Sequence, residues 1–172
     1  METTPGRIVV GVDGSEPAAA ALRFALGEAA RSGDEVDAIL VWADPWVITP
    51  PPHSLKGAGR DGVSRLRQRL TTAVHRVMRD EVGLEAVRVV ERVIAGDPAE
   101  VLVAESASAR MLVVGSTGMS GLRSWVLGSV SRHCAEHARV PVVIVPPPER
   151  AAVAVGPVEE VVEETLPFSG TA

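Results

Sequence analysis

Residues 7–30, RIVVGVDGSEPAAAALRFALGEAA, join a short apolar run, a Gly-Ser turn and a helical pattern in one stretch. Residues 7–13 read as a buried strand. Ser15 stands where a helix N-cap belongs, and Pro17 is tolerated in the first turn. Ala18, Ala21, Leu22, Ala25, Leu26 and Ala29 then recur at the spacing of one buried helical face, which Gly33 closes. A strand turning directly into a helix is one β/α unit, and the chain repeats it.

Residues 36–42 (VDAILVW) read as a second strand, followed by a Pro- and Gly-rich loop over 43–59. Val63, Leu66, Leu70, Val74, Val77 and Met78 mark one face of a second helix that ends near Gly83. A third strand follows over 87–95, a third helix over 98–108, a fourth strand over 111–115, a fourth helix over 126–138 and a fifth strand over 140–145. Parallel strands need crossover connections, and helices supply them. Right-handed crossovers leave a doubly wound α/β sandwich, a parallel sheet with helices on both faces. Ligands in such sheets bind beyond the carboxyl ends of the strands, where strand order reverses, so the loops after the first and fourth strands carry the candidate site.

The chain has 172 residues, 46% hydrophobic and 23% charged, which suits one soluble domain with a substantial core. Its net charge of −5 gives no basic excess for nucleic acid or anionic membranes. Residues 149–172 hold five glutamates and one arginine, so four of the five net charges belong to that tail. We divide the chain into one α/β domain, 1–148, and an acidic C-terminal tail, 149–172. Cys134 is the only cysteine, which excludes an intrachain disulfide and a multi-cysteine zinc site. The first residues lack the basic start and apolar run of a signal peptide, and no segment has the roughly 20 apolar residues of a membrane span. A cytoplasmic location is the expectation.

The loop after the fourth strand is the most specific feature. Gly115-Ser116-Thr117-Gly118 is followed after nine residues by Gly128-Ser129, giving G-x2-G-x9-G-S. Glycines let backbone N–H groups approach an anion, and a helix starting nearby adds unsatisfied donors and a favourable dipole. Ser116, Thr117, Arg123 and Ser129 could donate to the same anion. The plainer reading is a turn of purely architectural use. Position between a buried strand and a helix favours the phosphate site. Two other phosphate loops fail: the sole lysine, Lys56, lies outside any Gly-Lys-Ser/Thr context, and Gly115, Gly118 and Gly121 do not match G-x-G-x-x-G.

Together, IVVGVDGSEPAAAALRFAL, LVVGSTG, the G-x2-G-x9-G-S spacing and VPVVIVP resemble the universal stress proteins of the nucleotide-binding kind, over about residues 7–146. The resemblance implies a five-stranded parallel sheet in the order 3-2-1-4-5, ATP beyond strands one and four, and a homodimer joined through the last strand. It also implies residue roles. Asp13 would hold the ribose, with Gly11 and Val12 lining the pocket. Val41 or Trp42 would pack on adenine, Val114 and Gly115 would shape the base and ribose wall, and Gly118, Gly128, Ser129 and Val130 would wrap the phosphates. ATP, with or without Mg²⁺, is the expected ligand; ADP, AMP and cyclic AMP share the same purine and ribose contacts.

Asp13 has a second reading, an Asx-turn to its own backbone. Trp42 and Trp46 could equally cover the sheet edge. His133, Glu136 and His137 spell H-x-x-E-H, an inverted zinc-protease motif, but no third ligand is evident and a polar helix face explains them. Cys134 continues the apolar line Leu127, Val130, Cys134 and reads as core. Arg60, Arg65, Arg67, Arg69, Arg76 and Arg79 outnumber Asp61 and Asp80 on the second helix. With two Phe and no Tyr for stacking, that is a solvated face rather than an RNA surface.

No motif residue supplies a base or a positioned water for ATP hydrolysis, so at most weak ATPase activity is expected. The functional expectation is an ATP-binding sensor or regulator of the stress response, acting through an unidentified protein partner. The alternative is a nucleotide-free dimeric interaction module of the same fold. In the tail, Val158, Val161, Val162 and Leu166 could form one helical face against Glu159, Glu160, Glu163 and Glu164, although like charges four apart disfavour an isolated helix.

Overall fold

The computed structural model describes residues 5–42, 60–118 and 127–148. Nine elements run in the order β1 (Arg7–Gly11), α1 (Glu16–Ser32), β2 (Glu35–Trp42), α2 (Arg60–Asp80), β3 (Val89–Ala95), α3 (Pro98–Ser106), β4 (Met111–Gly115), α4 (Ser129–His137) and β5 (Val142–Val145). The strands form one parallel sheet in the order β3-β2-β1-β4-β5, the order that the family resemblance implies.

Alternation along each strand builds two cores. Val10 and Val36 point to one face, where they meet Leu22 and Leu26 of α1 and Leu70 and Val74 of α2. Val9, Ile39, Leu112 and Val114 point to the other, against Leu102 of α3 and Cys134 of α4. Each fully buried Leu, Ile or Val contributes about 1.5–3 kcal/mol by leaving water, so these two layers carry the stability of the sandwich. The apolar positions read from the sequence of α1 are all buried.

Several boundaries differ from the sequence reading: β1 ends at Gly11, α2 at Asp80 and α3 at Ser106, each short of the end read, and three starts shift for a local reason. The fourth helix begins at Ser129 rather than at residue 126, with Gly128 as its N-cap. β5 begins at Val142, because Pro141 has no N–H for the ladder. β3 begins at Val89, since residues before it turn back through a Val87 N–H to Leu84 carbonyl bond of 3.0 Å.

At the amino ends of the strands, Asp37 is buried between two arginines that reach over the α3 side of the sheet. Arg7 and Arg92 contact its Oδ2 at 3.0 and 3.2 Å, and Arg92 also donates to Glu105 Oε2 at 2.6 Å. Arg7 donates in addition to the Glu105 carbonyl at 2.7 Å. This network ties β1, β2 and β3 to the end of α3, on the opposite edge from the candidate site.

Candidate functional site

At the carboxyl ends of β1, β2 and β4 the loops diverge around a cavity of about 260 Å³. Strand order reverses between β1 and β4, which leaves a crevice that no crossover covers. Gly11, Val12, Asp13, Val41, Val114, Gly115, Gly118, Gly128, Ser129 and Val130 all line it. Val12 extends the β1 ladder by one bond, donating to the Ile39 carbonyl at 2.8 Å, which aims Asp13 out of the sheet and across the crevice. Of the two candidates ending β2, Val41 lines the cavity and Trp42 is absent from its wall.

Asp13 makes the Asx-turn of its second reading with one carboxylate oxygen and turns the other toward the glycine loop. Its Oδ1 accepts from the Ser15 N–H at 2.8 Å, an Asx-turn over Gly14, whose φ of 87° suits glycine. Its Oδ2 faces Gly118: a Cβ placed on that glycine would stand 3.0 Å from the oxygen. One carboxylate oxygen therefore holds the turn, and the other faces the glycine loop.

The loop itself is tied at residue 116. Ser116 donates its N–H to the Val145 carbonyl at 2.8 Å, and its own carbonyl accepts from the Gly128 N–H at 2.8 Å and from Ser131 Oγ at 3.0 Å. These bonds hold the start of α4 against the end of β4. Ser116, expected as a hydroxyl donor to an anion, is not on the cavity wall; its backbone organises the loop instead, and its buried Oγ has no partner among the described residues. Thr117 does line the cavity. Arg123 and Trp46 lie outside the described residues.

Three helices begin at this cavity, and their capping separates them. Ser15 caps α1 through the Ala18 N–H at 3.3 Å, and Asp97 caps α3 through Ala99 and Glu100. α4 starts at Gly128 with no side-chain cap, so the N–H groups of its first turn, at Ser129, Val130 and Ser131, are left to the cavity. With the dipole of the same helix, they make a site for negative charge. The opposite wall is apolar, built from Ile39, Val41, Leu102 and Val114. An anion-binding end and an apolar end share one cleft.

The sequence reading missed Ile39, Ala18, Pro98, Leu102 and Ser131 on this wall and gave Ser15 only its capping role. Pro98 and Leu102 come from α3, whose approach to the cavity depends on the crossover after an edge strand. Ser131 has the clearest local signal, a second hydroxyl one turn into the helix that the glycine motif opens.

A universal stress protein family model matches residues 5–146, the greater part of the chain. The chain belongs to the universal stress protein family. A universal stress protein of Mycobacterium tuberculosis is 36% identical over 137 residues, covering 80% of this chain and 44% of its own length. One of Mycolicibacterium smegmatis is 34% identical over 140 residues, covering 81% and 45%. The chain thus spans less than half the length of these curated relatives. Among solved structures, the universal stress protein UspA from Lactobacillus plantarum superimposes with a TM-score of 0.62 at 19% identity, covering 84% of this chain and 99% of that one. A universal stress protein from Archaeoglobus fulgidus, solved in complex with dAMP, gives 0.56 at 25% identity, with the same coverage.

Other chemistry in this universal stress protein lies away from the cavity. His133 and His137 stack at 4.1 Å between ring centroids, and His133 Nε2 stands 3.3 Å from Glu100 Oε1. Among the described residues no group of three or more His, Cys, Asp or Glu is placed to hold a metal. Cys134 is fully buried, and burial pushes its thiol up to about 11, which makes it core rather than nucleophile. No helix among the described residues is long and apolar enough to cross a membrane.

Proposed function

We propose that this universal stress protein binds an adenine nucleotide, with ATP as the working ligand, in the cavity beyond β1 and β4. The observation that carries the reading is the uncapped start of α4, presented to the same cleft as Asp13 Oδ2 and an apolar wall. The pieces match the parts of a nucleotide. A purine fits against Val12, Ile39, Val41 and Val114, the ribose hydroxyls against Asp13, and the phosphates against Gly118 and the N–H groups at Ser129, Val130 and Ser131. The dAMP held by the Archaeoglobus relative supports a nucleotide of this class.

Little or no hydrolysis accompanies binding. Asp13 is the one carboxylate on the cavity wall among the described residues, and neither Lys, Arg nor His lines it there. No cationic side chain in that set neutralises charge developing on a γ-phosphate, and its one carboxylate is committed to the Ser15 N–H and the ribose rather than to an attacking water. The nucleotide then works as a signal, whose occupancy sets the loops shown to a regulatory protein partner during stress. β5, an edge strand of Val and Ile, is the surface for a homodimer of cytoplasmic chains.

Titration with ATP, ADP, AMP and cyclic AMP by calorimetry tests the reading. Asp13→Asn keeps an oxygen for the Ser15 N–H and removes the carboxylate charge, so the fold should survive. Loss of charge-assisted bonds of about 1.5–3 kcal/mol weakens affinity by roughly 10- to 100-fold. Wild-type protein that binds none of the four, or an Asp13→Asn variant of unchanged affinity, would overturn it.

A further inference from the structure

On the far side of the Asp13–Gly14 turn lies a second cleft, of about 490 Å³, that the nucleotide reading does not use. Asp13 and Gly14 form part of one wall, and Arg65, Arg69, Thr72 and Arg76 of α2 form the other. Those four α2 positions fall at i, i+4, i+7 and i+11, one stripe about 16 Å long. The three arginines are exposed, and none forms an ion pair among the described residues. Asp13 is the only carboxylate lining the cleft among those residues, so three positive charges face one negative.

An adjoining groove between α1 and α2 shares Val12, Gly14, Ala73 and Arg76 with this cleft, and Pro148 lines it. Glu16, Arg23 and Asp80 are the other charged groups there. The chain therefore leaves the domain beside the Arg76 end of the stripe. It continues into the acidic segment 149–172, with five glutamates and one arginine. Eleven residues of chain lead from Pro148 to Glu159, a reach of up to about 40 Å, which exceeds the length of the stripe. Glu159, Glu160, Glu163 and Glu164 repel one another at helical spacing, and a row of arginines relieves that repulsion.

We propose that segment 149–172 docks in cis along the Arg65–Arg69–Arg76 stripe and fills the cleft behind the Asp13–Gly14 turn. The docking stands whether or not a nucleotide occupies the first cavity. Charge holds it, so it is salt-sensitive.

A nitroxide placed on the full chain by Thr165→Cys tests the docking, because the buried Cys134 thiol leaves residue 165 the reactive one. At about 0.05 M salt the amide signals of residues 65–76 should be lost to paramagnetic broadening, and at about 1 M, where the Debye length is about 3 Å, they should return. They should return also in the triple variant Arg65→Glu, Arg69→Glu, Arg76→Glu, whose exposed positions leave the sheet signals in place. Unbroadened α2 signals at low salt, or broadening that survives charge reversal, would overturn the proposal. Broadening found only between a spin-labelled chain and a separate isotope-labelled chain would place the tail on a second copy and overturn docking in cis.

Discussion

Gly115 and Gly118 look alike in sequence, both as loop glycines that admit an anion, yet the structure gives them different work. A Cβ on Gly115 would lie 2.8 Å from the Pro17 carbonyl carbon and 2.9 Å from the Ala18 nitrogen, both backbone atoms of the first turn of α1. The glycine is needed so that β4 can end against α1. Overpacking of this kind costs about 1–3 kcal/mol, so Gly115→Ala should lower unfolding stability by that amount in a denaturant titration, and unchanged stability would contradict the packing argument. At Gly118 the crowded atom is Asp13 Oδ2, the far end of a side chain that can shift, so alanine there disturbs the site and spares the fold. The ten residues expected at the site line one cavity because four of them belong to a motif of fixed spacing and the other six lie at the ends of β1, β2 and β4 or at the start of α4 beside it. Ser116 was misread because a hydroxyl type says nothing about where its rotamer points. Pro98 and Leu102 escaped because their place depends on how a whole helix crosses the sheet.

At the scale of elements, helix faces were readable from periodicity and a doubly wound sheet from crossover rules, the strand order came only with the family resemblance, and the ends of elements depended on local chemistry. Pro141 shortens β5, Gly128 stands as the N-cap of an α4 that begins at Ser129, and the lack of a side-chain cap there is what leaves N–H groups to the cavity. The charge network at the opposite edge was invisible in sequence. Asp37 interrupts the run VDAILVW without naming its partners, which come from β1, β3 and α3. Removing the buried Asp37 leaves Arg7 and Arg92 facing each other, so Asp37→Ala should destabilise by about 3 kcal/mol, near the low end for buried pairs because both arginines keep some water contact. A chemical denaturation curve within experimental error of wild type would refute this.

A second acidic anchor, Asp34, links the start of β2 to the residues just before β1 and β4. Burial alone would raise its pKa, but bonds from Ser32 Oγ, Arg110 and the Gly6 N–H together hold it below the ordinary 3.8. A depressed folded-state pKa means stability that is present above the unfolded value and lost as pH falls through the folded one. The difference in stability between wild type and Asp34→Asn should therefore be about 1–2 kcal/mol at neutral pH and shrink below about pH 5. A difference that stays constant from pH 7 to pH 3 would show that Asp34 contributes no pH-linked stability.

Taken as a whole, the molecule separates its tasks between the two edges of one sheet. The amino edge is cross-linked by paired charges, and the carboxyl edge keeps an uncapped helix, a half-used carboxylate and an apolar wall around a crevice. Such an arrangement sets stabilising contacts at one end and leaves the other free to bind. If an adenine nucleotide occupies that crevice, freshly purified protein carries it. Denaturing the protein and separating the released small molecules by chromatography should yield ATP or ADP at about one per chain from the wild type and none from Gly118→Ala, whose Cβ crowds Asp13 Oδ2. A wild-type chain that releases no nucleotide and takes up no added ATP would contradict nucleotide binding and leave the glycine loop as architecture alone.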